Sequence, residues 1–295
     1  MKPVDLHTHS TKSDGSYTPA ELVDYAITKG LSAVALTDHD TIDGLDEAVS
    51  HANTLAQDGQ PSVEVVPGIE FSTEYEKKDV HVVGLYISYD APAFRAKLQE
   101  FVNSRINRNI KMCRNLQSAG IDITFDKLQA RNPGAVITRA HYAAYLFEDG
   151  YVKSRQDAFS QYLGDHTKYF VPREKVTPVQ AVSLILEAGG IPVLAHPPLY
   201  HMGQDRLDKL VGSLKDAGLM GIETLYCSYS NQDERDMRRL AVKYDLLLSG
   251  GSDFHGANKP GLDLGTGYGK LFVPEEFLDR IKEAVASGHA RLQSK

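Results

Sequence analysis

The sequence predicts an α/β protein built as a barrel, and three observations support this fold class. Short apolar runs alternate with helical patterns near both ends of the chain, which is typical of parallel strands connected by helices. The chain has 295 residues, of which 42% are hydrophobic and 24% charged, so it can bury one large core. Between about residues 91 and 178 strand runs become rare and helical periodicity dominates. The simplest arrangement is one barrel interrupted by a helical insertion.

The first segment, residues 1–90, contains four apolar runs that we predict to be buried strands. They are Val4–Leu6, Ala33–Leu36, Val63–Val66 and Val80–Tyr86. Helical periodicity predicts helices over Thr18–Lys29 and Ile42–Gln57. The first of these begins with an N-cap at Thr18, a proline at the first helical position and Glu21 three residues after the cap.

The remaining residues divide into the helical segment 91–178 and a second alternating segment, 179–295. Four helices are predicted in the former, over Ala93–Ser118, Thr124–Ala130, Thr138–Asp149 and Arg155–Leu163. Three strands are predicted in the latter, over Ile191–Ala195, Gly221–Leu225 and Leu246–Ser249. Their connecting helices are predicted over Val179–Glu187, Asp205–Ala217 and Gln232–Tyr244. We therefore predict that residues 1–90 and 179–295 form the barrel and that residues 91–178 form the insertion.

The composition excludes several functional classes. With 32 Lys and Arg against 39 Asp and Glu, the net charge is −7, which disfavours general binding to nucleic acid. Two cysteines cannot form a disulfide framework or a four-thiolate zinc site. The N-terminal residues MKPVDLHTHS lack a long apolar run, and no apolar stretch is long enough to span a membrane. We expect a cytoplasmic protein that does not bind membranes and has no obligatory protein partner.

The chain contains eleven histidines, and most of the residues suited to binding a metal follow predicted strands. His7 and His9 alternate along an extended segment, so both imidazoles face the same side. The candidate metal ligands are His7, His9, Asp14, His39, Glu70, His81, His196, Asp253 and His255. Because active sites of α/β barrels lie at the carboxyl ends of the strands, we expect these side chains to converge.

Imidazole and carboxylate ligands together suit Mn, Fe or Zn. Nine candidate ligands are too many for one ion, so we predict two or three divalent ions that share bridging carboxylates. Such a site is locally positive, which favours an anionic substrate such as a phosphate ester, and closely spaced metals activate water for hydrolysis. Any one of these motifs by itself is more often structural, but their repeated occurrence at strand ends argues against an entirely structural role.

Six motifs occur in a fixed order along the chain: DLHTHSTKSDGSYTP, ALTDHDTIDG, PGIE, DVHVVG, AHP and GSDFHG. With these motifs the chain resembles the polymerase and histidinol phosphatase (PHP) superfamily over the first and last segments. The resemblance implies a distorted seven-stranded (β/α) barrel with a trinuclear site of Mn, Fe or Zn. It implies one ion held by His7, His9, Glu70 and Asp253. It implies a second held by Glu70, His81 and His196, and a third held by Asp14, His39 and His255.

The helical segment carries AVITRAHYAAYLFEDGYV and AFSQYLGDHTKYFVP, and it resembles the insertion of bacterial nucleoside 3′,5′-bisphosphate phosphatases in the same superfamily. The resemblance implies a cap over the barrel mouth and removal of the 3′-phosphate from substrates such as pAp, which yields AMP. Related members trim short 5′-phosphorylated RNA. The candidates for holding a second phosphate or the base are Arg139, His141, Lys168 and Tyr169.

We also predict roles for the residues near the reacting phosphate and for a group of basic residues in the helical segment. His196 and His255, or Asp38 indirectly, are candidates for assisting proton transfer to the leaving oxygen. Asp38 has no ligand role in the implied scheme, and orienting His39 or capping the following helix is its favoured role. The basic residues Arg105, Arg108, Lys111 and Arg114 recur at helical spacing, and we interpret them as a solvated helix face.

Three alternatives to a nucleoside 3′,5′-bisphosphate phosphatase remain open. A histidinol-phosphate phosphatase or another small phosphomonoesterase uses the same motifs. A proofreading module associated with a DNA polymerase is disfavoured because no polymerase domain accompanies the barrel. A non-catalytic nucleotide-binding protein is disfavoured because the set of nine candidate ligands is intact.

Overall fold

Eight strands form one sheet in a computed structural model that describes residues 2–172 and 177–293, with side chains up to residue 288. The strands are β1 (Pro3–Thr8), β2 (Ala33–Leu36), β3 (Glu64–Tyr75), β4 (Lys78–Leu85), β5 (Ile191–Ala195), β6 (Gly221–Tyr226), β7 (Leu247–Gly251) and β8 (Val273–Pro274). Their order in the sheet is β7-β6-β5-β4-β3-β2-β1-β8. The pairs β1–β2, β2–β3, β5–β6 and β6–β7 are parallel, whereas β4 is antiparallel to both of its neighbours.

The sheet curves until its first strand meets the segment that follows β7. The amide of Asp253 donates to the carbonyl of His7, and the amide of His9 donates to the carbonyl of Phe254, both at 2.9 Å. Thr8 and Phe254 form an isolated parallel bridge at the same place. The sheet is therefore a nearly closed barrel, and the predicted α/β barrel is confirmed.

The predicted count of seven strands differs from the eight in the described sheet. The additional strand, β8, has only two residues and pairs antiparallel with Pro3 and Val4 of β1. A two-residue strand has no periodicity that a sequence pattern can reveal. The strand predicted at Val63–Val66 also continues to Tyr75, because residues 68–75 pair antiparallel with β4.

Ten helices occur in the described residues. They are α1 (Pro19–Thr28), α2 (Leu45–Gln57), α3 (Pro92–Gln117), α4 (Phe125–Arg131), α5 (Arg139–Glu148), α6 (Arg155–Ala158), α7 (Pro178–Glu187), α8 (Gln204–Asp216), α9 (Asn231–Lys243) and α10 (Glu275–Gln293). A π-helical turn, Phe159–Leu163, follows α6 directly. The predicted cap of α1 is confirmed, since the Thr18 hydroxyl accepts from the Glu21 amide and the Glu21 carboxylate accepts from the Thr18 amide. Helix α10 is an addition to the predicted elements.

The hydrophobic residues divide into three clusters. One lies between the sheet and its surrounding helices and includes Leu36, Phe71 and Ile185. A second includes the strand residues Leu6 and Val83 together with α10. The third joins α3, α4, α5 and the π-helical turn, so the helices between residues 92 and 163 share a cluster of their own. None of the helices in the described ranges has the length and hydrophobicity needed to cross a membrane.

Candidate metal centre

The nine predicted ligands converge at one end of the barrel, where most of the strands end. His7, Glu70 and His81 lie within β1, β3 and β4. His9 and His39 follow β1 and β2, His196 follows β5 directly, and Asp253 and His255 follow β7. Asp14 lies in the turn after β1. All nine are buried except His39 and His81, which are partly exposed.

Glu70 is the central carboxylate of this cluster and has no exposed surface. Its two oxygens lie 2.8–3.3 Å from the ring nitrogens of His7, His9, His39, His81 and His196. Burial raises the pKa of Glu70, but the imidazoles, above all His39 and His7, outweigh burial and hold this pKa well below its usual range. Glu70 is therefore ionised at neutral pH and lies at the centre of the predicted ligand set.

Asp253 and Asp14 extend the cluster on the other side of His9. One carboxylate oxygen of Asp253 lies 3.1 Å from His9 Nε2 and 3.5 Å from His255 Nδ1. Asp14 Oδ1 lies 3.1 Å from His255 Nε2, and Asp14 Oδ2 lies 3.9 Å from His39 Nε2. The three carboxylates and six imidazoles of the predicted set therefore surround one common space.

The donor atoms of the cluster fit divalent metal ions. Four overlapping groups each bring three or four donor atoms within 4.8 Å of one another. They are His9, Asp14, His39 and His255; His7, Glu70 and His196; His7, His9 and Asp253; and His39, Glu70 and His81. Among the described residues, eight buried side-chain nitrogen and oxygen atoms have no hydrogen-bond partner, and five of them belong to proposed ligands: His7 Nε2, His9 Nε2, Asp14 Oδ1, Glu70 Oε2 and His196 Nδ1. Buried polar atoms without partners are rare in proteins, so their concentration here points to a ligand that binds there.

Two of the ligand positions have unusual backbone conformations. His196 has φ 33° and Asp253 has φ 56°, and both lie in the left-handed region directly after or close to a strand end. Non-glycine residues rarely adopt this region, and such strain concentrates at functional sites. These two residues therefore leave their strands with a turn that directs both side chains into the cluster.

Glu223 is a buried member of the site that the sequence analysis missed. Its Oε1 accepts a hydrogen bond from His7 Nδ1 at 2.8 Å, and its Oε2 accepts from the His196 amide at 2.7 Å. With the Nδ1 proton of His7 directed at Glu223, the lone pair of Nε2 faces Glu70 and Asp253. Glu223 thus holds one proposed ligand in the orientation and tautomer that metal binding requires.

We expect Glu223→Gln to weaken metal binding about 10- to 100-fold while the fold is kept. A glutamine offers only one acceptor oxygen, so it can satisfy either the His7 ring or the His196 amide. Competition with a metal chelator would measure the change in Kd, with Glu283→Gln on the exposed surface of α10 as the matched control. Equal metal affinity of Glu223→Gln and wild type would show that Glu223 has no orienting role.

Asp38 is buried behind the cluster and does not line its cavity. Its carboxylate accepts hydrogen bonds from the Ser10 amide at 2.8 Å, the Ser10 hydroxyl at 2.6 Å and the Ser13 hydroxyl at 2.5 Å. Asp38 thus stabilises the turn between His9 and Asp14 through Ser10 and Ser13. This role differs from the predicted one of orienting His39. Of the residues considered for proton transfer, His196 and His255 line the cavity.

The cavity in front of the cluster has a volume of about 440 Å³ and is also lined by cationic side chains from the helical segment. Arg139 is one of them; its guanidinium pairs with Asp79 and lies 5.6 Å from the Phe170 ring centroid. His141 is buried, and its Nδ1 accepts from the Thr138 amide as part of the cap of α5. Lys168 and Tyr169 contact each other but are not among the cavity-lining residues.

The interpretation of four basic residues on α3 as a solvated face is wrong for two of them. Arg105 and Arg108 are only 4% and 8% exposed and line the cavity. Arg105 donates to Asp40 at 2.7 Å from Nε, and it also contacts the Ser72 hydroxyl. Both lie on the stripe of α3 that continues to the buried Met112, so the helix turns this stripe inward. Lys111 and Arg114 are exposed as predicted.

Comparison with known proteins places these observations in a family context. The family model described as PHP domain matches residues 5–162. A 5′-3′ exoribonuclease of Haemophilus influenzae is 39% identical over 254 residues, which cover 86% of this chain and 90% of the relative. A 3′,5′-nucleoside bisphosphate phosphatase of Chromobacterium violaceum is 36% identical over 267 residues, which cover 90% of this chain and 91% of the relative.

Two solved structures share the fold over most of their length. An amidohydrolase from Chromobacterium violaceum, with bound sulfate and no metal, has a TM-score of 0.80 and 35% identity. The match covers 89% of this chain and 90% of the amidohydrolase chain. A protein from Bifidobacterium adolescentis described as a metal-dependent phosphoesterase has a TM-score of 0.81 and 27% identity. That match covers 95% of this chain and 96% of the other.

Proposed function

This chain belongs to the PHP domain family and is a metal-dependent phosphoesterase, and from that premise we propose that it removes the 3′-phosphate of nucleoside 3′,5′-bisphosphates such as pAp. One observation carries the proposal. The cavity that contains the proposed metal ligands is also lined by Arg105, Arg108, Arg139 and Lys259. A metal centre and a cationic wall in one cavity fit a substrate with two phosphates.

We propose that the nine clustered side chains hold two or three divalent ions of Mn, Fe or Zn. When bound, such ions polarise a phosphoryl oxygen and lower the pKa of water so that it can attack phosphorus. Glu70 and Asp253 hold the imidazoles at hydrogen-bonding distances, and Glu223 fixes the tautomer of His7. His196 and His255, which line the cavity, remain our candidates for proton transfer to the leaving oxygen.

We propose that residues 91–178 act as a cap that binds the substrate over the barrel of residues 1–90 and 179–295. The cavity wall formed by this segment includes Arg108 from α3, Arg139 from α5 and Phe159 from the π-helical turn. Guanidinium groups suit phosphate, and an aromatic ring suits a base, so the segment offers the groups that a nucleotide requires. Of the four residues proposed from sequence, Arg139 has the best-supported position for substrate binding.

A second activity, trimming of short 5′-phosphorylated RNA, is favoured by one observation besides the exoribonuclease relative. Arg108 lines both the cavity and a second groove of about 610 Å³ along α3, so an extended chain could continue past it. The two cysteines are free thiols, which fits the cytoplasmic location that we propose.

Phosphorus NMR of the Mn-loaded protein with pAp tests the proposed function. We expect AMP with its 5′-phosphate and inorganic phosphate as the products. Parallel reactions with histidinol phosphate and a 5′-phosphorylated oligoribonucleotide distinguish the alternatives. Turnover of histidinol phosphate alone would assign the protein to histidinol-phosphate phosphatases, and turnover of none of the three would contradict the proposal.

A further inference from the structure

Arg108 is a buried arginine in the cavity wall with few partners of its own. The residue is 8% exposed, and its Nε has no hydrogen-bond partner among the residues that the structure describes. Its Nη1 lies 3.2 Å from the amide oxygen of Asn109 and 3.5 Å from the sulfur of Met112, both of which are weak substitutes for a carboxylate. A buried guanidinium normally has a full set of acceptors, so the position is unusual for a purely structural residue.

The other cations of the cavity are each paired with a carboxylate. Arg105 pairs with Asp40, Arg139 pairs with Asp79, and Lys259 pairs with Asp253. Within the described ranges, Arg108 forms no ion pair within 4.0 Å. The wall beside the metal centre therefore carries one guanidinium without a carboxylate partner of its own, since Asp79, whose charge also attracts Arg108, is paired with Arg139.

The charge of Arg108 persists at neutral pH. Burial, followed by the charges of Arg105 and Arg139, lowers the pKa of its guanidinium to about 9. An unpaired buried charge destabilises a fold, and an anion that binds beside it removes that cost. Since Arg108 lines the same cavity as the metal cluster, one substrate molecule with two phosphates can contact both.

We infer that Arg108 determines specificity by binding the second, non-reacting phosphate of the substrate, an inference that rests on the proposed function. This phosphate has two possible sources with the same chemistry. It is either the terminal 5′-phosphate of the substrate or, in RNA of three or more nucleotides, the phosphodiester next to the one that is hydrolysed. The position of Arg108 between the cavity and the groove along α3 suits both sources.

The test compares Arg108→Met with wild type on pAp, 3′-AMP and the trinucleotide pApApA. Methionine keeps the apolar stem and much of the volume but removes the charge. We expect the ratio of kcat/KM for pAp to that for 3′-AMP to fall about 100-fold, as for loss of a charge-assisted phosphate contact. Arg108→Lys should restore part of the ratio, since lysine supplies the charge without the bidentate fork. Arg95→Ala, an exposed position on the same helix, is the control.

Thermal unfolding of Arg108→Met separates a binding role from a structural one. Because the substitution removes a buried charge that has no carboxylate partner of its own, we expect a Tm equal to or above that of wild type. A Tm lowered by several degrees, or an equal loss of activity on pAp and 3′-AMP, would overturn the inference. A loss on both pAp and pApApA assigns Arg108 the terminal phosphate, and a loss confined to pApApA assigns it the neighbouring phosphodiester; either outcome supports the inference.

Calorimetric binding of pAp separates this inference from the proposed function. We expect Kd for pAp to rise about 100-fold in Arg108→Met. Tight binding that depends on Arg108, without hydrolysis by wild type, would defeat the proposed function and leave the inference standing. Hydrolysis of both pAp and pApApA by Arg108→Met at the wild-type rate would defeat the inference and leave the proposed function standing.

Discussion

Glu70→Gln is expected to lower phosphate release from pAp by about 10³-fold or more, which corresponds to about 4 kcal/mol of transition-state stabilisation. Both oxygens of Glu70 face imidazole nitrogens, and Oε2 has no hydrogen-bond partner of its own. A glutamine has no negative charge, and its amide nitrogen cannot ligate a cation in place of an oxygen. We therefore expect bound metal, measured by elemental analysis of the purified protein, to fall together with activity.

Glu64→Gln, at the first residue of β3, is the matched control for Glu70→Gln. Glu64 accepts from the Tyr86 hydroxyl and pairs with Lys282 on the surface, away from the cavity-lining residues. Its substitution should leave activity and metal content within about twofold of wild type, since surface ion pairs contribute little. Full metal content and full activity in Glu70→Gln would contradict the bridging role assigned to this carboxylate.

Gly251→Ala is expected to destabilise the protein by about 3 kcal/mol or more, because overpacking here involves backbone atoms that cannot move independently. A Cβ at Gly251 would lie 2.4 Å from His7 Cβ and 2.6 Å from the His7 amide nitrogen. The backbones at Gly251 and His7 meet there because β1 closes the barrel against the segment after β7. Separating them also displaces the His7 ring from Glu70, so activity should fall with stability.

Urea unfolding measures the effect of Gly251→Ala through the free energy of unfolding. Gly288→Ala is the control, since no atom of the part of the chain that the structure describes lies within 4 Å of a Cβ at this position in α10. Alanine is the better helix former, so the control should gain up to about 1 kcal/mol of stability. An unfolding midpoint of Gly251→Ala equal to that of wild type would show that β1 and β7 are not closely packed.

The strands and the proposed ligands could be predicted from sequence because their patterns are local. Buried strands are short apolar runs, and parallel strands all end at the same side of a barrel. A histidine or carboxylate that follows such a run, as His39 and His196 do, is therefore placed in space by its position alone. This reasoning, together with the resemblance to the PHP superfamily, identified the nine residues that the structure brings together.

The roles of Glu223 and Arg108 could not be predicted because they depend on partners distant in sequence. Glu223 is a lone acidic residue within the apolar strand β6, and its partners His7 and His196 lie on other strands. That buried position is the only sequence signal for it. Arg108 lies in a helix with regularly spaced basic residues, and only the packing of α3 reveals which of them face inward. The two-residue strand β8 is too short for any pattern.

Restoring metal to chelator-treated protein while recording phosphate release from pAp tests most directly whether the clustered side chains are the catalytic metal centre. We predict no release without metal, and a rise with added Mn²⁺ that saturates at two or three bound ions per chain. Undiminished release from the metal-free protein, or none at saturating metal with either Mn²⁺, Fe²⁺ or Zn²⁺, would contradict the account.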